Sequence, residues 1–562
     1  MEKIKVLALG GLDEDGKDLY CVEINDDIFI IGAGFKYPTK TTPGIDFIIA
    51  DISYLQENAH RIKAYILPKA KKNSFGAMPY IYKVAPAPIY CCLLTKIFLE
   101  SFSADYHQEN DYKFNIIDLP QVIKINGYQF TFFSTCASMP QTFGFSIKTN
   151  LGNIVYSGDF IVEYSNENFF KLDLNTLGKI AENPTLLLMS ESRNCQNSGY
   201  CSPAHRIYPR LMTYLHEAEG RTFIALNSDN LYHIDEVFKA CKDSGKKIYL
   251  YDQTTNDIYN LRKIRDSDRF PSRDIIQKDE INRIKESSLV ILMSDENERI
   301  YEKVSILANG ENEDKLIRIL PTDTFYLAAP PTDNSEIICN STIDELYKTN
   351  CTVRYETRNS LAKMHAYEED LKMLLSLLRP KYYFPIESYY VSLLANAKLA
   401  IEMGIGLNHS SIFLLDNGQS LNIDEKTARV DFNLDNKIKV GDVMIDGIGV
   451  GDVVNEIITE RSRLGEDGVV VLGCAISKSQ RCILAGPDIQ MRGFLFLKDR
   501  DADNMVKEIT RVFVEFVNKW VSETKTFDSK ELENKIIYTL ERLLLKSNNR
   551  NPLILPNIIY FD

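Results

Sequence analysis

The first 34 residues alternate short apolar runs with turns. I-K-V-L-A-L-G-G, L-Y-C-V-E-I and D-I-F-I-I-G-A-G predict an antiparallel β meander, because a period of two sends alternate side chains to one face and the turn residues reverse the chain. Further strand signals stand at 64–67, 88–90, 114–119, 129–134, 144–149 and 153–156, with helical patterns between some of them. That interleaving predicts a layered α/β domain. After Ser202 the rhythm changes: a helical pattern over 203–218, the run T-F-I-A-L, a helical pattern over 234–244, then K-I-Y-L-Y and L-V-I-L-M. Uninterrupted apolar strands separated by helices predict a parallel sheet covered on both faces. A helix over 363–378, the strand K-Y-Y-F-P-I and a helix over 390–403 follow, and 417–438 holds a strand pair and a linker. Beyond Val440 the pattern predicts strands and two amphipathic helices, near 501–523 and 529–545, with no internal repeat or low-complexity segment.

At 562 residues the chain exceeds one core, and its length suggests three or four domains. No stretch reaches 18 apolar residues, and M-E-K-I-K-V runs directly into the first strand, so the sequence predicts a cytoplasmic protein with no membrane association. The pairs Cys91/Cys92 and Cys195/Cys201 match no C-x-x-C or zinc-ribbon spacing, which favours reduced, buried thiols. None of the seven histidines forms an H-x-H or H-x-x-x-H pair. A net charge of −13 confines any nucleic-acid contact to a local patch. Arg61, Lys63, Lys69, Lys71 and Lys72 form one candidate; a solvated loop face is the plainer reading.

Ser190, Ser192 and Ser202 lie in no nucleophile elbow. The glycines at 447, 449 and 451 lack the dinucleotide-binding spacing and suit turns.

Several segments, in order, resemble ribonuclease J, a bacterial RNA nuclease with a metallo-β-lactamase fold and a β-CASP insertion. They are G-G-L-D-E-D-G-K-D-L-Y (family G-G-x-x-E-x-G-K-N-x-Y), G-I-D-F-I-I-A-D-I-S-Y-L, G-A-M-P-Y, I-V-Y-S-G-D-F, L-L-R-P-K-Y-Y-F-P-I, D-G-I-G-V-G-D-V, the run from Leu464 to Val471 and G-P-D-I-Q-M-R-G-F. The resemblance spans nearly the whole chain. It implies an α/β protein: a metallo-β-lactamase αββα sandwich in two parts, 1–202 and 359–424, around an inserted α/β β-CASP domain at 203–358. A linker at 425–439 and a small α+β C-terminal oligomerisation domain at 440–562 complete the expected order.

In active family members two zinc ions are held by H-x-H-x-D-H, by the histidine of T-H-S-I-P, by the aspartate of G-D-F and by the histidine of P-V-H-G-E. Those positions fall here on Lys69, Lys71, Asn73, Ser74, Ala137, Asp159 and Glu387, and the orienting aspartate of D-A-G falls on Gly32. Of the seven ligand positions only Asp159 is unchanged. A protonated lysine has no lone pair to donate, and two carboxylates cannot hold two ions about 3.5 Å apart. No cofactor is expected, and no catalytic residue set is intact. Removing the ions would leave Asp159 and Glu387 as unpaired buried charge, a costly state. Lys69 and Lys71 are therefore expected to occupy the metal positions and pair with them, the alternative being a displaced solvated loop.

Part of the family's nucleotide apparatus persists. Glu191 in S-E-S-R-N matches the acidic residue of S-D/E-S-T-N, and His365 matches the S-G-H-A histidine; in the family this pair lies beside the scissile phosphate. A structural histidine is the alternative. The phosphate-binding loop H-x-S-G-H becomes Leu361, Ala362, Lys363, Met364 and His365, losing its small residues, and Tyr232 replaces a further family histidine.

The resemblance implies a catalytically inactive or very weak subunit of RNA decay and ribosomal RNA maturation. It would bind single-stranded RNA weakly and assemble with an active ribonuclease J paralogue, as a homodimer or heterotetramer. The alternatives are a working exo- or endoribonuclease with one ion at Asp159, Glu387 and Glu191, and a stand-alone RNA-binding module.

Overall fold

The computed structural model describes residues 2–39, 42–164, 170–263, 274–296, 298–313, 317–332, 334–433, 437–447, 449–450, 455–494, 499–524 and 528–561. Of the glycine string, the residue at 451 lies outside these.

Tight hairpins set the register of the first elements. Leu19–Ile24 and Asp27–Ile31 pair with Val22 opposite Phe29, and Asn25 takes a φ of 56° in the two-residue turn between them. Asn is one of the few side chains that tolerates this conformation. An eight-stranded sheet results, in the order Ala428–Val430, Ser420–Ile423, Ile4–Gly10, Leu19–Ile24, Asp27–Ile31, Ile62–Leu67, Ile89–Cys91 and Phe114–Ile116. A second sheet runs Tyr382–Ile386, Thr185–Glu191, Gly152–Tyr156, Phe143–Thr149, Tyr128–Ser134 and Gln121–Ile125.

The two sheets share one apolar core. Tyr20, Val22, Phe29 and Ile66 of the first pack with Phe130, Phe132, Phe145 and Phe384 of the second, and the Phe29 and Phe130 rings meet edge-on at 5.1 Å. On its other face the second sheet buries Val155, Leu188 and Tyr383 against Leu177, Leu371, Leu375 and Leu399. These belong to the helices Leu174–Ala181, Glu368–Leu378 and Tyr390–Glu402. On the first sheet, Tyr65 donates a hydrogen bond to the Ala85 carbonyl (2.7 Å), just past the helix Met78–Val84.

A third sheet is wholly parallel: Ile275–Ile276, Lys247–Leu250, Leu289–Asp295, Thr222–Asn227, Thr324–Leu327 and Thr352–Tyr355. It is buried on both faces. Because the chain leaves the second sheet at Glu191 and re-enters it at Tyr382, this third layer is an insertion in topology.

By compactness the chain divides into one unit of 1–36 with 49–442 and another of 37–48 with 443–562. Residues 37–48, expected in the first domain, thus group with the second unit. There, strands Cys482–Arg492, Val469–Ser477 and Leu553–Phe561 form a three-stranded sheet. Val470, Leu472 and Ile476 pack on Phe513, Val517, Ile536 and Leu540, which come from helices Asp499–Glu523 and Ser529–Asn548.

Several boundaries differ from expectation. The helix expected over 203–218 is Tyr208–Glu217, with Pro209 in its first turn, where a missing N–H costs nothing. The helix expected from residue 363 begins at Glu368, where the Tyr367 N–H donates to Asp370 Oδ2 (2.9 Å). Strands Thr185–Glu191, Thr324–Leu327 and Thr352–Tyr355 were not anticipated. Among the described residues no helix is long and apolar enough to cross a membrane.

Candidate functional site

Loops that follow or precede core strands bring four charged side chains to one point. Lys69 comes two residues after the strand Ile62–Leu67, Asp159 three after Gly152–Tyr156, Glu387 directly after Tyr382–Ile386, and Asp18 directly before Leu19–Ile24. Gly158 makes the turn into Asp159 possible: its φ is +68°, and a Cβ there would stand 2.6 Å from the Phe143 carbonyl oxygen. The loop carrying Lys69 is clamped by backbone. Asp18 N–H donates to the Asn73 carbonyl (3.1 Å) and Ala33 N–H to the Ser74 carbonyl (2.7 Å). Gly34 passes so close beneath that a Cβ would fall 1.5 Å from the Asn73 oxygen.

The Lys69 ammonium is only 1% exposed and sits inside a cage of carboxylates. Its Nζ lies 2.6 Å from Asp159 Oδ1, 3.0 Å from Glu387 Oε2 and 3.3 Å from Asp18 Oδ2. Tyr156 donates its hydroxyl to the other Glu387 oxygen at 2.6 Å. Arg193 closes the solvent side, with Nη2 3.8 Å from Asp18 Oδ1 and Nε 3.9 Å from Glu387 Oε2, and it also pairs with the exposed Asp15. Two cations face three buried carboxylates, so one acid is driven to keep its proton. Burial pushes Glu387 up to about 8 and also raises Asp18. At Asp159 burial acts upward too, but the adjacent Lys69 outweighs it and holds that carboxyl far below its usual range. Burial opposes the Lys69 charge, yet Asp159, Glu387 and Asp18 keep its pKa above the ordinary lysine value.

The expected role of Lys69 in the cage therefore matches the geometry, while that of Lys71 is corrected. Lys71 stands immediately before the one-turn helix Lys72–Phe75 and reaches toward Asp229 instead (3.7 Å). A second ammonium beside the first would place like charges in contact in a low-dielectric pocket. Lys72 pairs with Glu296 at 2.7 Å. The proposed basic patch is also corrected: Arg61 pairs with Glu23 and Lys63 with Asp27 at the start of the strand Ile62–Leu67, whereas Lys69 lies beyond its far end. Six extended residues separate the two groups by about 20 Å.

A pair of zinc ions does not fit these residues. Lys69 fills the cage, Ala137 offers no donor, and Asn73 and Ser74 present a neutral amide and a hydroxyl whose buried oxygens lack hydrogen-bond partners. Asp159, Glu191 and His365 place one potential ligand atom each within 4.8 Å of one another. Glu191, however, is fully engaged: Oε1 accepts from the N–H of Phe160 (2.9 Å) and Ala366 (3.1 Å), and Oε2 meets His365 Nδ1 at 2.6 Å. With Lys69 bonded to Asp159, that trio is incomplete as a metal centre.

The expected phosphate loop divides in two. Leu361, Ala362 and Met364 are buried in apolar clusters, and the N–H of Ala362 donates to the Ala204 carbonyl (3.1 Å), that of His365 to the Lys363 carbonyl (2.8 Å). Those three side chains and two amides are spent on packing, which corrects their assignment as phosphate contacts. Lys363 and His365 keep partial access to solvent. Burial, with Arg193 and Lys71 nearby, lowers the Lys363 ammonium pKa although part of its chain is exposed. Tyr232 is buried against the rings of Phe170 and His205.

Asp18, Tyr156 and Arg193 were missed from sequence. Two of them carried a signal: Asp18 stands where the family pattern G-K-N-x-Y has asparagine, and Arg193 stands where S-D/E-S-T-N has threonine.

Comparison with known proteins bears on the same residues. The model of the ribonuclease J C-terminal domain matches residues 456–561. The ribonuclease J 2 proteins of Staphylococcus aureus strain MRSA252 and Staphylococcus epidermidis strain RP62A are each 27% identical over 555 residues, spanning 99% of this chain and 98% of theirs. A crystal structure of a protein of unknown function from Enterococcus faecalis V583 shares the fold with a TM-score of 0.50 at 15% identity, over 75% of this chain and all of that one. End to end, the chain is similar to these ribonuclease J 2 proteins, and its grouping of Asp159, Glu191 and His365 is an incomplete set of metal ligands.

Proposed function

We propose that this protein is a non-hydrolytic ribonuclease J-like subunit that binds RNA and assembles with a catalytically competent ribonuclease J in RNA decay and ribosomal RNA maturation. In this reading the two facing sheets are a metallo-β-lactamase αββα sandwich, and the parallel layer is its β-CASP insertion. The observation that carries it is the Lys69 ammonium, held 2.6–3.3 Å from three carboxylates where a hydrolytic enzyme of this type holds its ions. A fixed monovalent cation with no exchangeable water cannot generate a metal-bound hydroxide or clamp two phosphoryl oxygens. His365, oriented by Glu191, and the neighbouring Lys363 supply a phosphate-contacting edge without a hydrolytic centre.

Support for assembly comes from the second unit. The sheet face turned away from its helices presents Leu555, Ile559 and Phe561, which are 45%, 57% and 51% exposed, opposite Val471, Ala475 and Ser477 on the central strand. Solvent-facing apolar rows of this kind mark association surfaces.

The test combines two measurements. Purified protein incubated with 5′-monophosphorylated RNA and Mn²⁺ is expected to release no product, and mixing it with a purified active paralogue is expected to yield a hetero-oligomer in sedimentation. RNA hydrolysis abolished by Asp159→Asn would overturn the reading in favour of a one-ion nuclease, for which the Asp159, Glu191 and His365 grouping is the observation. Failure to associate, with salt-sensitive RNA binding intact, would leave a stand-alone RNA-binding module.

A further inference from the structure

The cage around Lys69 holds one more acid than it has cations to pair with. Leaving aside Asp15 at the solvent edge, three carboxyl groups, Asp18, Asp159 and Glu387, face two cations, Lys69 and Arg193, so that one acid keeps its proton. Both carboxylate oxygens of Asp18 are buried and lack a hydrogen-bond partner, although Oδ2 lies 3.3 Å from the Lys69 nitrogen. The contact is electrostatic and misaligned, as when a group is aimed at the centre of a cage and not at one donor. Without Lys69, three carboxyl groups face Arg193 alone around a vacated volume whose walls are oxygen atoms. Such a site suits a hard divalent ion, Mn²⁺, Mg²⁺ or Ca²⁺, and lacks the imidazoles of a zinc pair.

We propose that Lys69 is a tethered cation that blocks, within its own chain, a latent divalent-cation site formed by Asp18, Asp159 and Glu387. The inference rests on the reading above that the hydrolytic centre is lost, but its readout does not involve RNA. The backbone clamp on the loop, through Asn73, Ser74 and Gly34, supports it: the cage geometry does not depend on the lysine stem.

Three proteins are compared by thermal melting in EDTA and in millimolar Mn²⁺: the full-length wild type, Lys69→Ala and Lys69→Met. In EDTA both variants are expected to melt about 5–10 °C below wild type, because buried carboxylates lose their counter-charge. Mn²⁺ should restore at least half of that loss to Lys69→Ala. It should do nothing for wild type or for Lys69→Met, whose side chain fills the volume. Electron paramagnetic resonance should find one tightly bound Mn²⁺ in Lys69→Ala and none in Lys69→Ala/Asp18→Asn/Glu387→Gln. No Mn²⁺ response in Lys69→Ala, or an equal response in wild type, overturns the proposal. So does failure of Lys69→Ala to fold when expressed and purified with Mn²⁺ throughout, since an ion that fits the cage would support it. RNA hydrolysis by wild type would instead overturn the functional reading and leave this result standing.

Discussion

Two halves of one pocket have fared differently. Around Lys69, side chains that would donate lone pairs to metal are replaced, and a closed ion cage has taken their place. Next to it, Glu191 and His365 keep a short, oriented contact at 2.6 Å with part of the imidazole open to solvent. The cage is sealed and internally satisfied by charge; the pair is half-open and aimed outward. On the function proposed above, the pocket lacks hydrolytic electrostatics but keeps a means of touching a phosphate, because the two depend on different atoms.

The largest effect should come from breaking the cage. Lys69→Met removes the cation that Asp159 meets at 2.6 Å and is expected to cost about 3–5 kcal/mol in chemical denaturation. A loss below about 1 kcal/mol would show that solvent reaches the carboxylates. Next, Glu191→Ala strips the acceptor from Phe160 N–H, Ala366 N–H and His365, and about 2–3 kcal/mol should be lost. Glu191→Gln, which retains one carbonyl acceptor, should lose less.

A pH series sharpens the contrast. Glu387 is raised to about 8 in the folded protein, so the native state holds a proton that the unfolded chain releases near pH 4.5. The stability this proton provides is complete below pH 4.5 and drains away as pH rises toward 8. Melting temperature should therefore fall between pH 5 and 8, and Glu387→Gln should flatten the slope. Asp159 acts with opposite sign, its contribution disappearing as pH falls below the usual aspartate range. The smallest stability effect is expected for His365→Ala, about 1–2 kcal/mol, since only the partner of the buried Glu191 Oε2 is lost. RNA affinity measured by fluorescence anisotropy should nevertheless drop several-fold. An unchanged affinity would make His365 structural.

How much of this was legible beforehand depends on chemistry type. The loss of metal ligands could be read directly, because Lys69 and Ala137 cannot donate whatever the fold does. The partnership of Lys69 with Asp159 and Glu387 followed from the cost of unpaired buried charge. Geometry decided the rest: nothing in K-A-K tells which ammonium turns inward, and Lys71 proved to serve the outer edge. Asp18 and Arg193 join the cage from loops far apart in sequence, so only the assembled sheets reveal them. Among the elements, the hairpin at Asn25 announced itself through turn chemistry. In Thr185–Glu191 the unbroken apolar run Leu186–Met189 has no alternation to betray a strand, and residues 363–367 look helical by pattern although Tyr367 and Asp370 start the helix later.

Where Gly34 runs beneath Asn73, the chain lays one peptide against another with no room for a methyl group. The platform under the pocket is therefore fastened by main-chain atoms, which every amino acid possesses. Residues perched on such a floor can be exchanged, one chemistry for another, while the floor keeps its shape.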